Sequence, residues 1–360
     1  MILINIAYRI LYLHRSLLLA ALFLVLLVPN VNAQDPALSE ASDFFLDRPD
    51  SNKYAVILVG PAVGDTNSSR FRQWALSLYD ILARDYGYNS DTITLLYDRG
   101  EIEGPGGERV DAACDREAIE QQFAALKSRV KIGDQIILFL IGHGSGAEAE
   151  AKFNIVGPDL TGIEFAYLLD QFAQQDMVIV NTTSASYGFS AALSSEGRVV
   201  ISSTRSSSEK YDPIFSRFFI EALDARNGDR DKNNRVSMLE AFNYARNNVT
   251  QWYEEQGRLA AEHAGLDDNG DSLFSLNPTV AEADGRLAEI AFIDTLIDSN
   301  EGLSEVAVRL KSRMQRIERS VFILRGRKAD FLEADYWQQM EELLVDLART
   351  TGRFNEQVEQ

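Results

Sequence analysis

Ile136-Ile137-Leu138-Phe139-Leu140-Ile141-Gly142-His143-Gly144-Ser145 and Met177-Val178-Ile179-Val180-Asn181-Thr182-Thr183-Ser184-Ala185-Ser186 are the stretches that decide the fold. Each is an apolar run rich in β-branched residues that stops abruptly at small and polar ones. Buried parallel strands read this way, because both of their faces are covered. One strand end presents an imidazole between two glycines; the other presents a hydroxyl among small residues. Open α/β sheets bind and react at that carboxyl edge, so His143 and Ser184 are the first candidate site residues.

Outward from these strands the rhythm repeats. Tyr54 to Val59 reads as a strand, Phe71, Trp74, Ala75, Leu78, Tyr79 and Leu82 as the apolar face of a helix, and Thr92 to Tyr97 as a second strand. Asp115 caps a helix running to about Val130, and Thr161-x-x-Glu164 is a capping box opening another. Arg198 to Ser203 is a further strand. Strands alternating with helices predict an α/β fold, a mostly parallel sheet with helices on both faces. Beyond residue 284 the strand signals stop. Leu303, Val306, Leu310, Met314, Ile317, Val321 and Leu324 recur at helical spacing, and after a break at 326–333 so do Trp337, Met340, Leu344 and Leu347. This pattern predicts a helical hairpin or coiled coil over 284–360, with an intramolecular seam. A self-associating or partner-binding face is the alternative reading of the same stripe.

The N-terminus reads as a separate segment. Arg9 and Arg15 precede an unbroken apolar run, Leu17 to Val28, and Val31-Asn32-Ala33 offers small residues for a signal peptidase. Residues 1–33 are therefore expected to be a signal peptide and 34–52 a flexible lead-in. The α/β domain is expected over 53–283. The formal charge is −19, and removing the two arginines of the leader makes it −21. Such a surface disfavours nucleic acid and anionic lipid as partners. It suits a secreted or periplasmic protein with no membrane attachment after cleavage. Cys114 is the single cysteine, so no intrachain disulfide can form. His14 falls in the leader and His263 in an acidic stretch read as helical, so no zinc cluster is expected.

The order of strand, helix, strand, Gly-rich loop, helix, His-Gly strand end and a further small-residue strand end resembles the caspase/legumain-like peptidases over roughly residues 53–280. The resemblance implies that His143 is the catalytic histidine and Gly144 the oxyanion glycine. It puts Thr183-Ser184-Ala185-Ser186 where the family has its Cys nucleophile, so Ser184 replaces the thiol. A thiol can be activated by His alone, whereas a serine hydroxyl needs a base held by an acid. No Asp or Glu near His143 is committed to that role by spacing. Cys114, at a helix start on the same sheet edge, is a second candidate nucleophile. A 2-1-3-4 strand order, however, places it about 10 Å from the His143 strand. Arg205 and the Gly100–Gly107 loop are positional candidates for substrate specificity.

Asp229-Arg230-Asp231-Lys232-Asn233-Asn234-Arg235-Val236-Ser237-Met238-Leu239-Glu240 resembles an EF-hand calcium loop. Asp229, Asp231, Asn233, the Arg235 carbonyl, Ser237 and Glu240 fall at its ligand positions, and Asn234 takes the place of the usual glycine. Ser237-x-x-Glu240 also reads as a capping box. Asp267 to Asp271 lacks a carboxylate at position twelve and reads as an Asx/Gly turn. Together these features predict an exported peptidase homologue with a structural Ca2+ that binds peptide or protein at the strand-end cleft without efficient cleavage. The alternatives are an active endopeptidase using Ser184 or Cys114 with His143, and an assembly module acting through the hairpin.

Overall fold

The computed structural model describes residues 44–46, 51–295 and 302–358. The expected signal peptide and most of the lead-in lie outside the described residues. Within the lead-in Phe45 is buried, and its N–H donates to Asp176. The chain builds β1 (Lys53–Val59), α1 (Asp65–Asp85), β2 (Ile93–Tyr97), α2 (Arg116–Arg129) and β3 (Gln135–Ile141). After the short strands β4 (Gly144–Ser145), β5 (Lys152–Phe153) and β6 (Leu160–Thr161) come α3 (Gly162–Leu169), β7 (Asp176–Asn181), α4 (Ser186–Leu193) and β8 (Arg198–Ser202). Then follow α5 (Phe215–Leu223), α6 (Met238–Glu255), β9 (Gly265–Asp267), α7 (Arg286–Ile290), α8 (Glu305–Gly326) and α9 (Glu333–Val358).

The main sheet has the order β2-β1-β3-β7-β8-β9, parallel except for β9, which pairs antiparallel with β8. This is the expected α/β architecture, with helices on both faces. Alternation along β1 assigns the faces: Ala55, Ile57 and Val59 pack with α1, α5 and α6, while Tyr54, Val56 and Leu58 pack with α2, α3 and α4. Asp115 caps α2 by accepting from Ala118 N–H, and Thr161 with Glu164 closes the capping box of α3. β9 carries no apolar run long enough to read as a strand. It exists because the edge of β8 is available to pair.

The expected domain boundary at 283 falls inside the core. Leu287, Ala288, Ile290, Ala291 and Ile293 join the cluster under β1 and α1, and Phe322 of α8 reaches the same cluster. Lys53 Nζ donates to Phe292 O (2.6 Å) and Tyr88 Oη to Ile293 O (2.9 Å). The Arg235 guanidinium lies over Phe292 and pairs with Asp294 at 2.9 Å, with both side chains 3% exposed. A buried Arg without its carboxylate is strongly destabilising, so 286–295 belongs to the α/β domain. The hairpin seam is intramolecular: Ile317, Val321 and Leu324 meet Tyr336 and Met340. Tyr336 takes the seam position and Trp337 is 53% exposed.

Candidate functional site

β3 ends at Ile141, and Gly142 turns the chain with φ 149° before His143. The small β4–β5–β6 sheet then fixes the histidine backbone, since Asn154 N–H donates to His143 O at 3.0 Å. Phe71 of α1 lies against the imidazole with ring centroids 5.2 Å apart. Gly144 sits so close to the neighbouring strand end that a Cβ there would meet the Ser184 carbonyl oxygen at 2.2 Å. Only glycine permits that approach.

The two strand ends do meet, but through the backbone. Gly144 N–H donates to Ser184 Oγ at 3.3 Å, and Ser184 Oγ–H reaches Gly144 O at 3.4 Å. Ser184 is 3% exposed. Its neighbour Ala185 holds φ 49°, a left-handed conformation costly for a residue with a Cβ, and its N–H donates to Glu209 O at 2.9 Å. Beneath the turn, Ser186 Oγ contacts the hydroxyls of Ser202, Ser203 and Thr204 at 2.9–3.1 Å. This buried network locks the ends of β7 and β8 together.

His143 has an acidic partner after all. Its Nδ1 lies 2.7 Å from Asp212 Oδ1, and Asn67 Nδ2 donates to the other Asp212 oxygen at 2.8 Å. Burial pushes the Asp212 carboxyl up. The hydrogen bond from His143, with Asn67 and Arg70 behind it, outweighs burial and holds it below the usual carboxylate range. The sequence signal was available: Asp212 follows β8 in a loop at the same edge as His143, just before α5. Spacing concealed it, because 69 residues separate the pair. The other ring nitrogen, Nε2, faces Val63 N–H at 3.3 Å. No hydrogen bond joins His143 to Ser184 among the described residues.

Cys114 is no nucleophile. It is fully buried, and burial pushes its thiol far above the ordinary range against a backbone hydrogen bond from Val59. A helix start favours a thiolate, but here desolvation of the buried sulfur outweighs it. Arg205 is paired with Glu209, which also accepts from His263 N–H and lies 2.6 Å from His263 Nδ1. His263 stands in the irregular connection between α6 and β9, not the helix read from its neighbours. The Gly100–Gly107 loop is tied to α1 by Arg72, which donates to Glu103 O and Pro105 O.

In the loop 229–240, carboxylate oxygens of Asp229, Asp231 and Glu240 all lie within 4.8 Å of one another. Lys232 and Asn234 adopt φ 63° and 64°, and Asp229 accepts from the N–H groups of Asn233 and Asn234. Of the other expected ligands, Ser237 spends its hydroxyl on Glu240 in the capping box. Asn233 turns its amide nitrogen to Asp231 and to Glu318 of α8, at 3.1 Å each. Arg235 sends its side chain inward to Asp294. Burial, then the Glu240 charge, pushes Asp231 up to about 7. The Asp267 turn repeats the positive-φ pattern at Gly270 and Ser272, and Asp267 accepts from the N–H groups of Gly270 and Ser272. It is the expected Asx turn. No helix among the described residues is long and apolar enough to cross a membrane.

No protein-family model matches the chain, and no curated protein is detectably similar to it.

Proposed function

We propose that the chain is an exported, catalytically silent homologue of the caspase/legumain-like peptidases that binds peptide or protein at the strand ends around His143 and Ser184. One observation carries this reading: both imidazole nitrogens are engaged away from Ser184. Nε2 accepts from Val63, so the ring proton sits on Nδ1 and is donated to Asp212. Neither nitrogen then has a lone pair directed at the Ser184 hydroxyl. Without a base the hydroxyl is a poor nucleophile. The Gly144 amide that an oxyanion would use is already given to Ser184 Oγ.

A second reading, a working serine endopeptidase, is favoured by the Asp212–His143 contact, which supplies the acid a serine nucleophile requires. It needs the ring to exchange Val63 for Ser184. Fluorophosphonate labelling with mass-spectrometric site mapping separates the two. No adduct at Ser184 and no casein cleavage is the result expected; labelling abolished by both His143→Ala and Asp212→Ala overturns the silent reading.

Calcium belongs to the same proposal. Asp229, Asp231 and Glu240 converge as a hard divalent cation requires, and bound Ca2+ would relieve the repulsion that raises Asp231. The ion's part here is structural.

A further inference from the structure

Helices α1 and α5 run side by side on one face of the sheet. Asn67, in the first turn of α1, bonds Asp212 just before α5, and Arg84 at the other end of α1 pairs with Asp224 just after α5. Between them and α6 lies a groove of about 500 Å3. Its floor is apolar: Trp74 and Ile81 from α1, Ile220 from α5 and Trp252 from α6. Arg70 and Arg217 stand in its wall.

The charges in that wall are not equivalent. Asp224 pairs with Arg84, which it shares with Asp85, and Glu221 accepts from Tyr244 Oη at 3.0 Å. Arg70 and Arg217 are both exposed, and among the described residues neither forms an ion pair. The Arg217 guanidinium rests over Phe218, 4.9 Å from the ring centroid. The chain has 54 acidic and 35 basic residues, so carboxylates to pair with are plentiful. Arg84, Arg109, Arg116, Arg205, Arg235, Arg313 and Arg325 are each paired with one. Two unpaired guanidinium groups along one apolar groove are an arrangement suited to carboxylates, which arginine binds through paired N–H donors.

We propose that this groove docks a short segment of a protein partner in which a carboxylate side chain stands beside a bulky apolar one. Arg70 and Arg217 take the carboxylate, and Trp74, Ile220 and Trp252 receive the apolar side chain. The groove spans Arg70 to Ile81, about 16 Å of helix, which matches roughly five extended residues. It lies on the helical layer, off the strand ends, and stands whether or not the cleft at His143 binds peptide.

The test is fluorescence polarisation with the full chain and a fluorescein-labelled Glu-Leu-Glu-Leu-Glu peptide, with Gln-Leu-Gln-Leu-Gln and Glu-Gly-Glu-Gly-Glu as controls. The acidic-apolar peptide should bind, and both controls should bind at least about ten-fold more weakly, as loss of a charged hydrogen bond or an apolar anchor implies. Arg70→Gln with Arg217→Gln should weaken binding by a similar factor at an unchanged melting temperature. Trp252→Ala should weaken it independently, and Arg→Lys at both positions should restore part of it. Equal binding by the double Gln variant overturns the proposal. So does binding lost in His143→Ala but kept in the arginine variants, which would move the peptide to the strand ends. Displacement by dodecanoate at lower concentration than by unlabelled peptide would assign the groove to a free apolar carboxylate and equally overturn it.

Discussion

A hydroxyl and an imidazole at adjacent strand ends make a nucleophile and base only if a lone pair points from one to the other. Here Ser184 is bonded to the Gly144 backbone, and His143 bridges Val63 and Asp212. Iodoacetamide with mass-spectrometric mapping tests both sulfur positions at this scale. Cys114 should remain unlabelled in the folded protein and label only on denaturation, since its buried thiol is held protonated. Ser184→Cys should label slowly, at a rate that His143→Ala leaves unchanged. Fast, His143-dependent labelling would show that the ring turns from Val63 toward position 184, and would support the working peptidase. His143 and Ser184 were legible as strand-end residues. Asp212 was not, because its partnership is created by a loop that only the folded sheet brings back over β3.

The loop 229–240 shows one element carrying two tasks. Glu240 closes the capping box of α6 with one carboxylate oxygen, while the other accepts from the N–H groups of Arg230 and Asp231 inside the acidic group. Gln can cap as Glu does, so Glu240→Gln separates the tasks. Calcium at ten times its Kd should stabilise the wild type by about 1.4 kcal/mol, read as a rise in melting temperature. Glu240→Gln should fold normally and lose that rise. A rise of equal size in the variant would remove calcium from this loop. The ligand spacing was legible along the chain, as was the left-handed turn at Asn234. The approach of Glu318 was not, because it comes from α8, and helix docking is invisible to a local pattern.

For the molecule as a whole, the segment 286–295 is the last piece of the core. A chain ending at 283 loses Leu287, Ile290, Ile293 and the Asp294 partner of Arg235, and should fail to fold by circular dichroism and size exclusion. A chain ending at 301 keeps that pair and should fold with a lowered melting temperature, since Phe322 and Lys311 of α8 are also buried. A native-like melting curve for the 283-residue chain would contradict this packing. The pH dependence follows from the buried acids. Burial first pushes Glu262 up to about 7, against its hydrogen bonds from Ile214, Phe215 and Tyr253; Asp284 is likewise raised to about 7. Each binds its proton more tightly folded than unfolded. Their contribution is full at pH values below about 4, the ordinary carboxylate range, and is lost as pH rises through about 7. Asp212 and Asp294 are shifted downward, so their loss falls on the acid side of that window. The melting temperature should therefore rise as pH is lowered from 8 to 5.5, and Glu262→Gln should flatten the slope. A wild-type curve that falls on acidification would contradict the assignment.

What the chain alone determined is what is local or periodic. The apolar runs of β1, β3, β7 and β8, the Asp115, Thr161 and Ser237 caps, and the seam of α8 on α9 are properties of neighbouring residues and of the 2.0 and 3.6 repeats. Tertiary structure alone decided which polar groups meet across long separations: His143 with Asp212, Arg235 with Asp294, Asn233 with Glu318. It also decided that Cys114 is sealed within the core and that 286–295 belongs to the core as well. Such pairings follow from the sheet order and the layer each helix covers. Polar side chains carry no periodic signature of the partner they will find when the layers close.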